Sequence, residues 1–398
     1  MDKPIVLTVQ KKDRYTRLRS IEGWQQDQVR QARVLVAGAG ALGNEVLKNL
    51  ALLGIGYIMV VDFDTIEITN LSRSILFRPG DESQSKADVA ACRIRSINPD
   101  VQIEALKGDV VWDVGLGILS RFDAVLGCLD NREARLGLNR HCWQVGVPFI
   151  DGALGAVGGQ VRLYIPPDSA CYECGFDEQD YKELNLRYSC QLLIEEGILK
   201  GEVPTTPISA SVIGAIQVQE LLKLIHNQSV LMGHEIEYNG QNHIYRTTRL
   251  KRREDCLSHD SIPLNNIVTL PDATANQITG EALLQLIQKN LGEQPYLLLD
   301  REVVKAMVCS NCGDVDLTAR PAHLTSTQIA KCPGCGSQRK PYFSHKLKIG
   351  DHLSQLPLAA LGIPAGHILI GRSGNKYRYY ELGADLLFNQ KLSEIKRS

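Results

Sequence analysis

Apolar and polar positions alternate in blocks along the first 165 residues, and the blocks have the lengths of strands and helices. Short apolar runs of strand length are separated by longer segments whose apolar residues recur at helical spacing. The predicted strands are residues 34–37, 57–62, 101–106, 124–128, 148–150 and 160–165. The predicted helices between them are residues 42–53, 86–97 and 131–144. This alternation predicts an α/β fold with a doubly wound, Rossmann-like, mostly parallel sheet.

The pattern changes twice after residue 165. A loop-rich stretch precedes an apolar helix predicted at 208–225 and two strands predicted at 231–238 and 243–248. The composition shifts near residue 260, where shorter elements begin. These are predicted at 267–270, 280–290, 296–299, 342–347 and 377–382. We therefore expect a domain over 1–260 and a separate α+β domain over 261–398.

Charge and composition narrow the class of protein. The net charge of −1 favours neither nucleic-acid binding nor electrostatic attachment to a membrane. The first residues lack a signal-peptide pattern, and we identify no apolar run approaching the ~18 residues of a spanning helix. We expect a cytoplasmic protein with no nucleic-acid or membrane partner. The 11 cysteines are then thiols or metal ligands rather than disulfides.

The most informative motif is a glycine-rich turn between the first predicted strand and helix. Gly38 permits a tight turn, Gly40 and Ala41 bring backbone N–H groups toward a phosphate, and Gly43 lets helix and strand pack closely. Asp62 follows at the tip of the second strand, where a carboxylate can hold a ribose hydroxyl. The motif predicts an adenine nucleotide, and taken alone it favours NAD and a dehydrogenase.

The polar residues that follow favour a triphosphate instead. Asp64, Asn70, Arg73 and Lys86 place a carboxylate, an amide and two cations near the strand tips. A dinucleotide needs little cationic charge, whereas a triphosphate under nucleophilic attack needs it. Each residue alone also fits a solvated loop. Asp130 and Asn131 follow another strand, where Asp130 could hold Mg²⁺ or either residue could cap the next helix.

Together these residues resemble the ubiquitin-activating enzymes and their bacterial relatives that adenylate sulfur-carrier proteins, the ThiF/MoeB group. The resemblance covers about residues 10–260. The matching positions are Arg14, Tyr15, Thr16 and Arg17, Gly38 to Gly43, Asp62 to Asp64, Asn70 to Arg73, Lys86, Asp130, Asn131 and the pair Cys171/Cys174. It implies that the C-terminal carboxylate of a small β-grasp protein, usually ending in Gly-Gly, attacks the α-phosphate of ATP.

The resemblance also implies roles for single residues. Asp62 binds ribose, while Asn70, Arg73 and Lys86 contact phosphates. Asp130 binds Mg²⁺. Arg17 matches an arginine that a partner subunit inserts into the site, which implies a homodimer. Ala41 departs from the glycine found in many members, but its backbone N–H serves the same purpose.

Cysteine spacing predicts metal sites. The pairs Cys309/Cys312 and Cys332/Cys335 are both C-x2-C, lie 19 residues apart and are each followed by a glycine, as in a four-thiolate zinc ribbon. Cys171/Cys174 needs a second pair. The resemblance places that pair after the long helix and two strands, where the chain has Cys256 and His259, so we expect a second structural zinc. His323 and His345 are competing ligands.

The four remaining cysteines divide into two groups. Cys92, Cys128 and Cys142 lie in apolar patterns and are expected to be inert core residues. Cys190 lies in a polar loop close to Arg187, and a similarly placed cysteine in the resembled family forms covalent intermediates. We expect Cys190 to accept the acyl group as a thioester, the alternative being a loop thiol without a role.

Several functions remain compatible with the sequence. The first is an activating enzyme that delivers a ubiquitin-like modifier to a conjugating enzyme. Others are activation of a sulfur carrier for thiamin, molybdopterin or thiolation pathways, and a scaffold subunit that keeps only the fold. A nicotinamide-dependent dehydrogenase would leave Asn70, Arg73, Lys86 and the cysteine pairs without a role.

Overall fold

The computed structural model describes residues 12–186 and 204–384, which form two sheets with flanking helices. The first sheet has the strand order β3-β2-β1-β4-β5-β6-β7-β8. The strands β3, β2, β1, β4 and β5 are parallel, and β6, β7 and β8 join antiparallel. They are β1 (Arg33–Ala37), β2 (Tyr57–Val61), β3 (Gln102–Leu106), β4 (Ala124–Gly127), β5 (Phe149–Gly155), β6 (Gly158–Tyr164), β7 (His234–Asn239) and β8 (Ile244–Arg249). The mostly parallel α/β sheet is confirmed.

Helices cover both faces of this sheet. They are α1 (Gln26–Gln31), α2 (Ala41–Leu53), α3 (Lys86–Ile97), α4 (Leu116–Leu119), α5 (Arg132–Val145), α6 (Glu178–Leu186) and α7 (Pro207–Ile225). One apolar core lies under α2, α3 and α7, and a second lies under α4 and α5. The predicted strand at 148–150 was too short, because β5 continues to Gly155 in a hairpin with β6.

The helix α7 begins and ends within one residue of prediction, but it contradicts the expectation that no apolar run approaches the length of a spanning helix. An 18-residue window of this 19-residue helix has a mean hydropathy of 1.4, so by length and composition alone the helix could cross a membrane. Half of that window is buried, and α7 packs against α2, β5 and β6. Gln217 on α7 donates to Gly127 O at 2.9 Å and Ile150 O at 3.0 Å. In this fold α7 is a core helix of the sheet.

The second sheet has the order β11-β10-β14-β15-β9, and β12 and β13 also pair with β10. The strands are β9 (Ile267–Thr274), β10 (Tyr296–Cys309), β11 (Val315–Asp316), β12 (Arg320–Pro321), β13 (Arg339–Lys348), β14 (Ile368–Ser373) and β15 (Lys376–Gly383). Helix α8 (Gly280–Leu291) packs on β10, β14 and β15 around a third apolar core. The predicted α+β character of this C-terminal unit agrees with these elements.

The two units share apolar contacts. Ile368 and Ala384 belong to the same buried cluster as Leu116 and Ile118 of α4. Arg121 also pairs with Glu381 at 3.0 Å. The division near residue 260 stays a prediction, since this cluster includes residues from both sides of it.

Candidate nucleotide site and metal centres

The glycine turn joins β1 to α2 at the carboxyl edge of the sheet, and two of its glycines are fixed by close contacts. Gly38 has φ +96°, and a Cβ there would lie 2.4 Å from Cys128 O. A Cβ at Gly43 would lie 2.0 Å from Gly38 O. A Cβ at Gly40 would meet nothing within 4 Å. Gly38 and Gly43 therefore shape the turn, whereas Gly40 faces open space that a ligand can enter.

Asn44 holds the turn from behind, and the sequence analysis missed it. Its buried side chain donates to Ala39 O at 2.7 Å and Gly40 O at 3.0 Å. Its Oδ1 accepts from Leu76 N at 2.8 Å. Asn44 thus ties the turn to the segment after Arg73. A polar residue in the apolar first turn of α2 was the available signal.

Asp62 lies against the same turn. Its Oδ2 accepts from Ala39 N at 2.6 Å and its Oδ1 from Asp64 N at 2.8 Å. Burial raises the pKa of Asp62 from its usual value, although the amides of Ala39 and Asp64 and the charge of Lys86 oppose that shift. The acid at the tip of β2 is therefore fixed relative to the glycine turn, as a ribose ligand requires.

Lys86 is the cation that the structure brings to this acid pair. Its Nζ lies 2.9 Å from Asp64 Oδ2, and the Lys86 side chain is 12% exposed. Asn70 and Arg73 instead bond locally, in and beside the short 3-10 helix Ile68–Ser72. Asn70 Oδ1 accepts from Glu67 N at 3.0 Å, and Arg73 Nη1 donates to Thr69 O at 3.0 Å. The structure therefore joins Asp62, Asp64 and Lys86, while the ends of Asn70 and Arg73 have local partners.

Asp130 and Asn131 follow β4 and differ in role. Asn131 Oδ1 accepts from Ala134 N at 2.8 Å and caps α5, as the capping alternative expected. Asp130 is exposed and accepts from Asn131 Nδ2 at 3.3 Å. A carboxylate at the carboxyl end of β4 is placed to hold a cation against a nucleotide.

Arg135, another residue that the sequence analysis missed, supports this segment. It donates to Leu129 O at 2.5 Å and Gly152 O at 3.0 Å. Its Nε lies 3.5 Å from Asp151 Oδ1, and Asp151 is fully buried. The pair fixes the backbone next to Asp130. An arginine five positions after Asp130 was its only sequence signal.

Arg17 lies far from the glycine turn of its own chain. It is exposed and follows Tyr15, whose hydroxyl accepts from Asn98 Nδ2 at 2.8 Å. A Cβ at Gly54, which ends α2, would lie 2.4 Å from the same hydroxyl. The glycine turn is at the other end of α2, roughly 20 Å away for a helix of 13 residues.

A cleft of about 370 Å³ opens along the β5–β6 hairpin and β7. Its lining is rich in glycine and alanine and includes the larger polar residues Gln160, Glu237 and Tyr238. Ala153 pairs with Gln160, and Gln160 pairs with Glu237 across three strands. Because β5 lies beside β4, this cleft lies next to the edge that carries Asp130.

The first cysteine cluster contains the predicted residues Cys171, Cys174, Cys256 and His259. Their ligand atoms all lie within 4.8 Å of one another. Cys171 and Cys256 Sγ are 3.5 Å apart, and Cys174 Sγ lies 3.4 Å from His259 Nε2. Two thiolates on one tetrahedral zinc lie about 3.8 Å apart, so this cluster has the spacing of a metal site.

A hydrogen-bond network centred on the buried Glu173 adjoins this cluster. Glu173, between the two cysteines, accepts from Arg140 Nε at 3.0 Å, Tyr181 Oη at 2.9 Å and Ser258 Oγ. Burial alone would raise the pKa of Glu173, but hydrogen bonds from Arg140 and Ser258 outweigh it and lower that pKa. His259 stacks on Trp143 with centroids 4.4 Å apart. The network holds the two ligand loops together.

The second cluster contains Cys309, Cys312, Cys332 and Cys335, also within 4.8 Å of one another. The distances Cys309–Cys335 and Cys312–Cys332 are both 3.5 Å between sulfurs. Gly313 and Gly336 follow the two pairs with φ +74° and +72°. Their N–H groups donate to Cys309 O and Cys332 O at 2.9 Å each. The two turns match, and the cluster could hold a metal ion.

The other cysteines and histidines are placed as follows. Cys128 and Cys142 are buried, and burial raises the pKa of both thiols, as expected of inert residues. Cys92 is exposed, so its predicted burial was wrong: it lies on the outward face of α3. His323 and His345 belong to neither cluster. Cys190 and Arg187 lie outside the described residues.

Comparisons with known proteins agree with this geometry. The family model described as "ThiF family" matches residues 13–258. The chain is 28% identical over 232 residues to the sulfur carrier protein ThiS adenylyltransferase of Escherichia coli, covering 58% of this chain and 87% of that protein. It is 31% identical over 248 residues to the SAMP-activating enzyme E1 of Haloferax volcanii, covering 61% and 87%.

Two further matches cover a smaller share of the matched protein. Ubiquitin-like modifier-activating enzyme 5 of Dictyostelium discoideum is 29% identical over 255 residues, covering 58% of this chain and 62% of that protein. The crystal structure of E. coli MccB with ATP has a TM-score of 0.51 at 23% identity, covering 62% of this chain and 74% of that one. The structural match supports the fold alone.

Proposed function

Because the chain belongs to the ThiF family and is an enzyme of the adenylyltransferase and modifier-activating type, we propose that it adenylates the C-terminal glycine of a ubiquitin-like β-grasp protein. The observation that carries the proposal is that hydrogen bonds and an ion pair link the side chains of Asp62, Asp64 and Lys86 to the glycine turn. Asp62 is bonded to the glycine turn and, through Asp64, to the cation Lys86. A nucleotide cradle with a partly buried lysine suits attack at phosphate.

The reaction has one bond-forming step at phosphorus. A carboxylate oxygen of the modifier's last glycine attacks the α-phosphate of ATP, and the bond to the bridging oxygen of the β-phosphate breaks. The products are the acyl-adenylate and pyrophosphate. Asp62 holds the ribose, Lys86 and Arg73 neutralise the phosphates, and Asn70 donates to them. Arg73 exchanges its bond to Thr69 O for bonds to phosphate, whereas Asn70 donates through Nδ2 and keeps its Oδ1 bond from Glu67 N.

Mg²⁺ would bind Asp130, whose exposed carboxylate offers oxygen ligands at the carboxyl end of β4. Arg135 and Asp151 fix the backbone next to it. Bound there, the ion supplies positive charge for the leaving pyrophosphate. Asn131 serves by capping α5 and by donating to Asp130.

The cleft beside β5 is the proposed place for the modifier's C-terminal tail. It is lined by small residues that an extended Gly-Gly segment can lie against, and it adjoins the edge that carries Asp130. The carboxylate at the end of the tail would then point toward the nucleotide.

Zinc is the metal proposed for both cysteine clusters. Thiolates and one imidazole at tetrahedral spacing favour zinc over hard cations. Cys171, Cys174, Cys256 and His259 would hold one ion, and the four-cysteine cluster with Cys309 would hold the other as a zinc ribbon. Both ions would be structural, since all four ligand positions of each are filled by protein.

The acceptor of the acyl group is a separate proposal. The thiolate of Cys190 would attack the carbonyl carbon of the adenylate, forming a thioester and releasing AMP. A conjugating enzyme would receive the modifier from it in the cytoplasm. Arg17 would act in the site of a second copy, because it lies at the far end of α2 from its own glycine turn.

Adduct formation tests this acceptor. Wild type incubated with MgATP and the cognate modifier should form a covalent adduct that dithiothreitol cleaves, and Cys190→Ala should lack it while Cys92→Ala keeps it. An adduct that persists in Cys190→Ala would contradict the thioester but leave adenylation intact. Sulfur-carrier activation is then the remaining pathway, in line with the name of the E. coli relative, the sulfur carrier protein ThiS adenylyltransferase.

A further inference from the structure

Residues of the C-terminal unit hold the β3–α4 loop, residues 107–115, and we call this set of contacts the clasp. It consists of Arg301, His323 and the segment 365–367. Arg301 is 3% exposed, and its Nη1 donates to Trp112 O at 3.1 Å and to Gly362 O. Its guanidinium carbon lies 5.4 Å from the Trp112 ring centroid. The His323 ring stacks on the same indole, with centroids 4.3 Å apart and the planes 4° from parallel. The Trp112 indole is thus packed against Arg301 and His323 of the C-terminal unit.

The end of the loop is held by backbone contacts. Leu116 N donates to His367 Nδ1 at 3.3 Å, and Gly117 N donates to Gly366 O at 2.9 Å. A Cβ at Gly115 would lie 2.3 Å from Ala365 O, so the two backbone segments approach too closely for a side chain at position 115. The loop therefore has little freedom to shift relative to the C-terminal unit.

A buried charge network stabilises the clasp. Asp300 pairs with Arg301 at 2.9 Å and with His367 at 3.1 Å, and His141 of α5 lies 4.0 Å away. Burial alone would raise the pKa of Asp300, but His367 and Arg301 outweigh it and lower that pKa. Removing one member of such a network leaves the other charged groups unpaired, which is energetically costly. The network therefore favours a single arrangement of the loop and the C-terminal unit.

The other side of the loop contacts the nucleotide site. Gly108 N donates to Asp62 O at 3.3 Å, and Asp62 N donates to Leu106 O at 3.1 Å. Val111 packs against Gly137 of α5, where a Cβ would lie 2.8 Å from Val111 Cγ1. The loop therefore spans from the acid at the tip of β2 to the helix that Asp130 precedes.

We propose that the C-terminal unit sets the affinity for the adenosine part of the nucleotide by fixing this loop as one wall of its pocket. Ligands of doubly wound sheets lie beyond the carboxyl ends of the strands, and with ribose at Asp62 the base lies over the loop after β3. Trp112, Arg301 and His323 are positioning residues that act through the loop. The inference rests on the proposed function only for the identity of the nucleotide.

Calorimetric binding of MgATP and of AMP tests the inference. His323→Ala removes the ring that stacks on the indole, and Trp112→Phe replaces the indole with a smaller ring. Neither substitution removes a charged group from the network around Asp300. Both variants should raise the Kd for MgATP and for AMP by about threefold to tenfold, the range expected for the loss of one aromatic contact. In ATP–pyrophosphate exchange KM for ATP should rise similarly, with kcat and KM for pyrophosphate unchanged. His345→Ala, an exposed residue on β13, is the matched control.

Unchanged Kd values for both nucleotides in His323→Ala and Trp112→Phe would overturn the inference, even if the melting temperature falls. Equal losses for ATP and pyrophosphate would also overturn it, because they would indicate general damage to the site. Because AMP binding needs no modifier, this comparison decides the inference even if wild type gives no exchange. Absence of exchange counts only against the proposed function.

Discussion

A Cβ at Gly43 would lie 2.0 Å from the carbonyl oxygen of Gly38, whereas a Cβ at Gly40 would meet nothing within 4 Å. Glycine is therefore required at position 43 by the fold itself. At position 40 the fold does not require it, and the reason for glycine must come from the ligand. The two positions separate folding from nucleotide binding.

Alanine substitutions at these two glycines should have different effects. Gly43→Ala should lower the free energy of unfolding by several kcal/mol, on the order of 3, because backbone must move to relieve the clash. Gly40→Ala should keep the wild-type melting temperature and weaken MgATP binding by about tenfold or more, because the methyl group blocks approach of a phosphate. Thermal unfolding and calorimetry check both. Normal ATP binding by Gly40→Ala would contradict the cradle.

Each cysteine cluster should bind one metal ion independently. Purified wild type should contain two zinc ions, and Cys174→Ser and Cys312→Ser should each contain one. Cys92→Ser, an exposed thiol outside both clusters, is the matched control and should retain two. Plasma mass spectrometry gives the stoichiometry. Retention of two ions in either cluster variant would exclude that cluster as a tetradentate site.

Arg17 should act across a dimer interface. Arg17→Ala and Asp130→Ala should each be inactive alone, and both residues are exposed, so folding should be preserved. When the two variants are unfolded and refolded together, half of the dimers are mixed and each contains one intact site. Exchange activity should then recover to about a quarter of wild type. No recovery, with mixed dimers demonstrated by two affinity tags, would place Arg17 in its own site or in none.

The stability of the protein should fall on mild acidification because of His141. Burial lowers the pKa of His141 to about 4, opposing Asp300 and assisted by His367, Arg301 and Arg140. Between pH 6.5 and 4 the unfolded state therefore binds a proton that the folded state does not. The free energy of unfolding then falls by about 1.4 kcal/mol per pH unit.

His141→Gln should remove this component, so its stability should decline less steeply than that of wild type across the same pH window. Chemical denaturation at each pH measures both, with the metal content checked in parallel. Identical pH profiles for wild type and His141→Gln would show that this histidine is not held neutral in the fold.

Local pattern was sufficient to predict most of the first sheet. Strands β1 to β4 and helices α2, α3 and α5 differ from prediction by a residue or so at each end, because apolar periodicity and capping residues such as Asn131 define them. The hairpin of β5 and β6 could not be bounded from sequence. Its extent depends on the pairing of Gly155 with Gly158, which is a tertiary feature.

Site residues that occupy motif positions were predicted from the sequence. Residues that support the site only through tertiary contacts were missed. Asp62, Lys86 and the eight residues of the two Cys-rich clusters were found from spacing or resemblance. Asn44, Arg135 and Trp112 were not, because their partners lie far away in sequence: Leu76, Gly152 and Arg301. Cys92 was placed in the core because its neighbours are apolar, although it lies on the outward face of α3.

The central claim is that this site forms an acyl-adenylate, and ATP–pyrophosphate exchange tests it most directly. Wild type should incorporate labelled pyrophosphate into ATP only when a β-grasp protein ending in Gly-Gly is present, and deleting the last glycine should abolish it. Lys86→Met should reduce the rate by about a hundredfold or more with an unchanged melting temperature. No exchange with any Gly-Gly-ending carrier or modifier, by a protein that binds MgATP, would contradict the account.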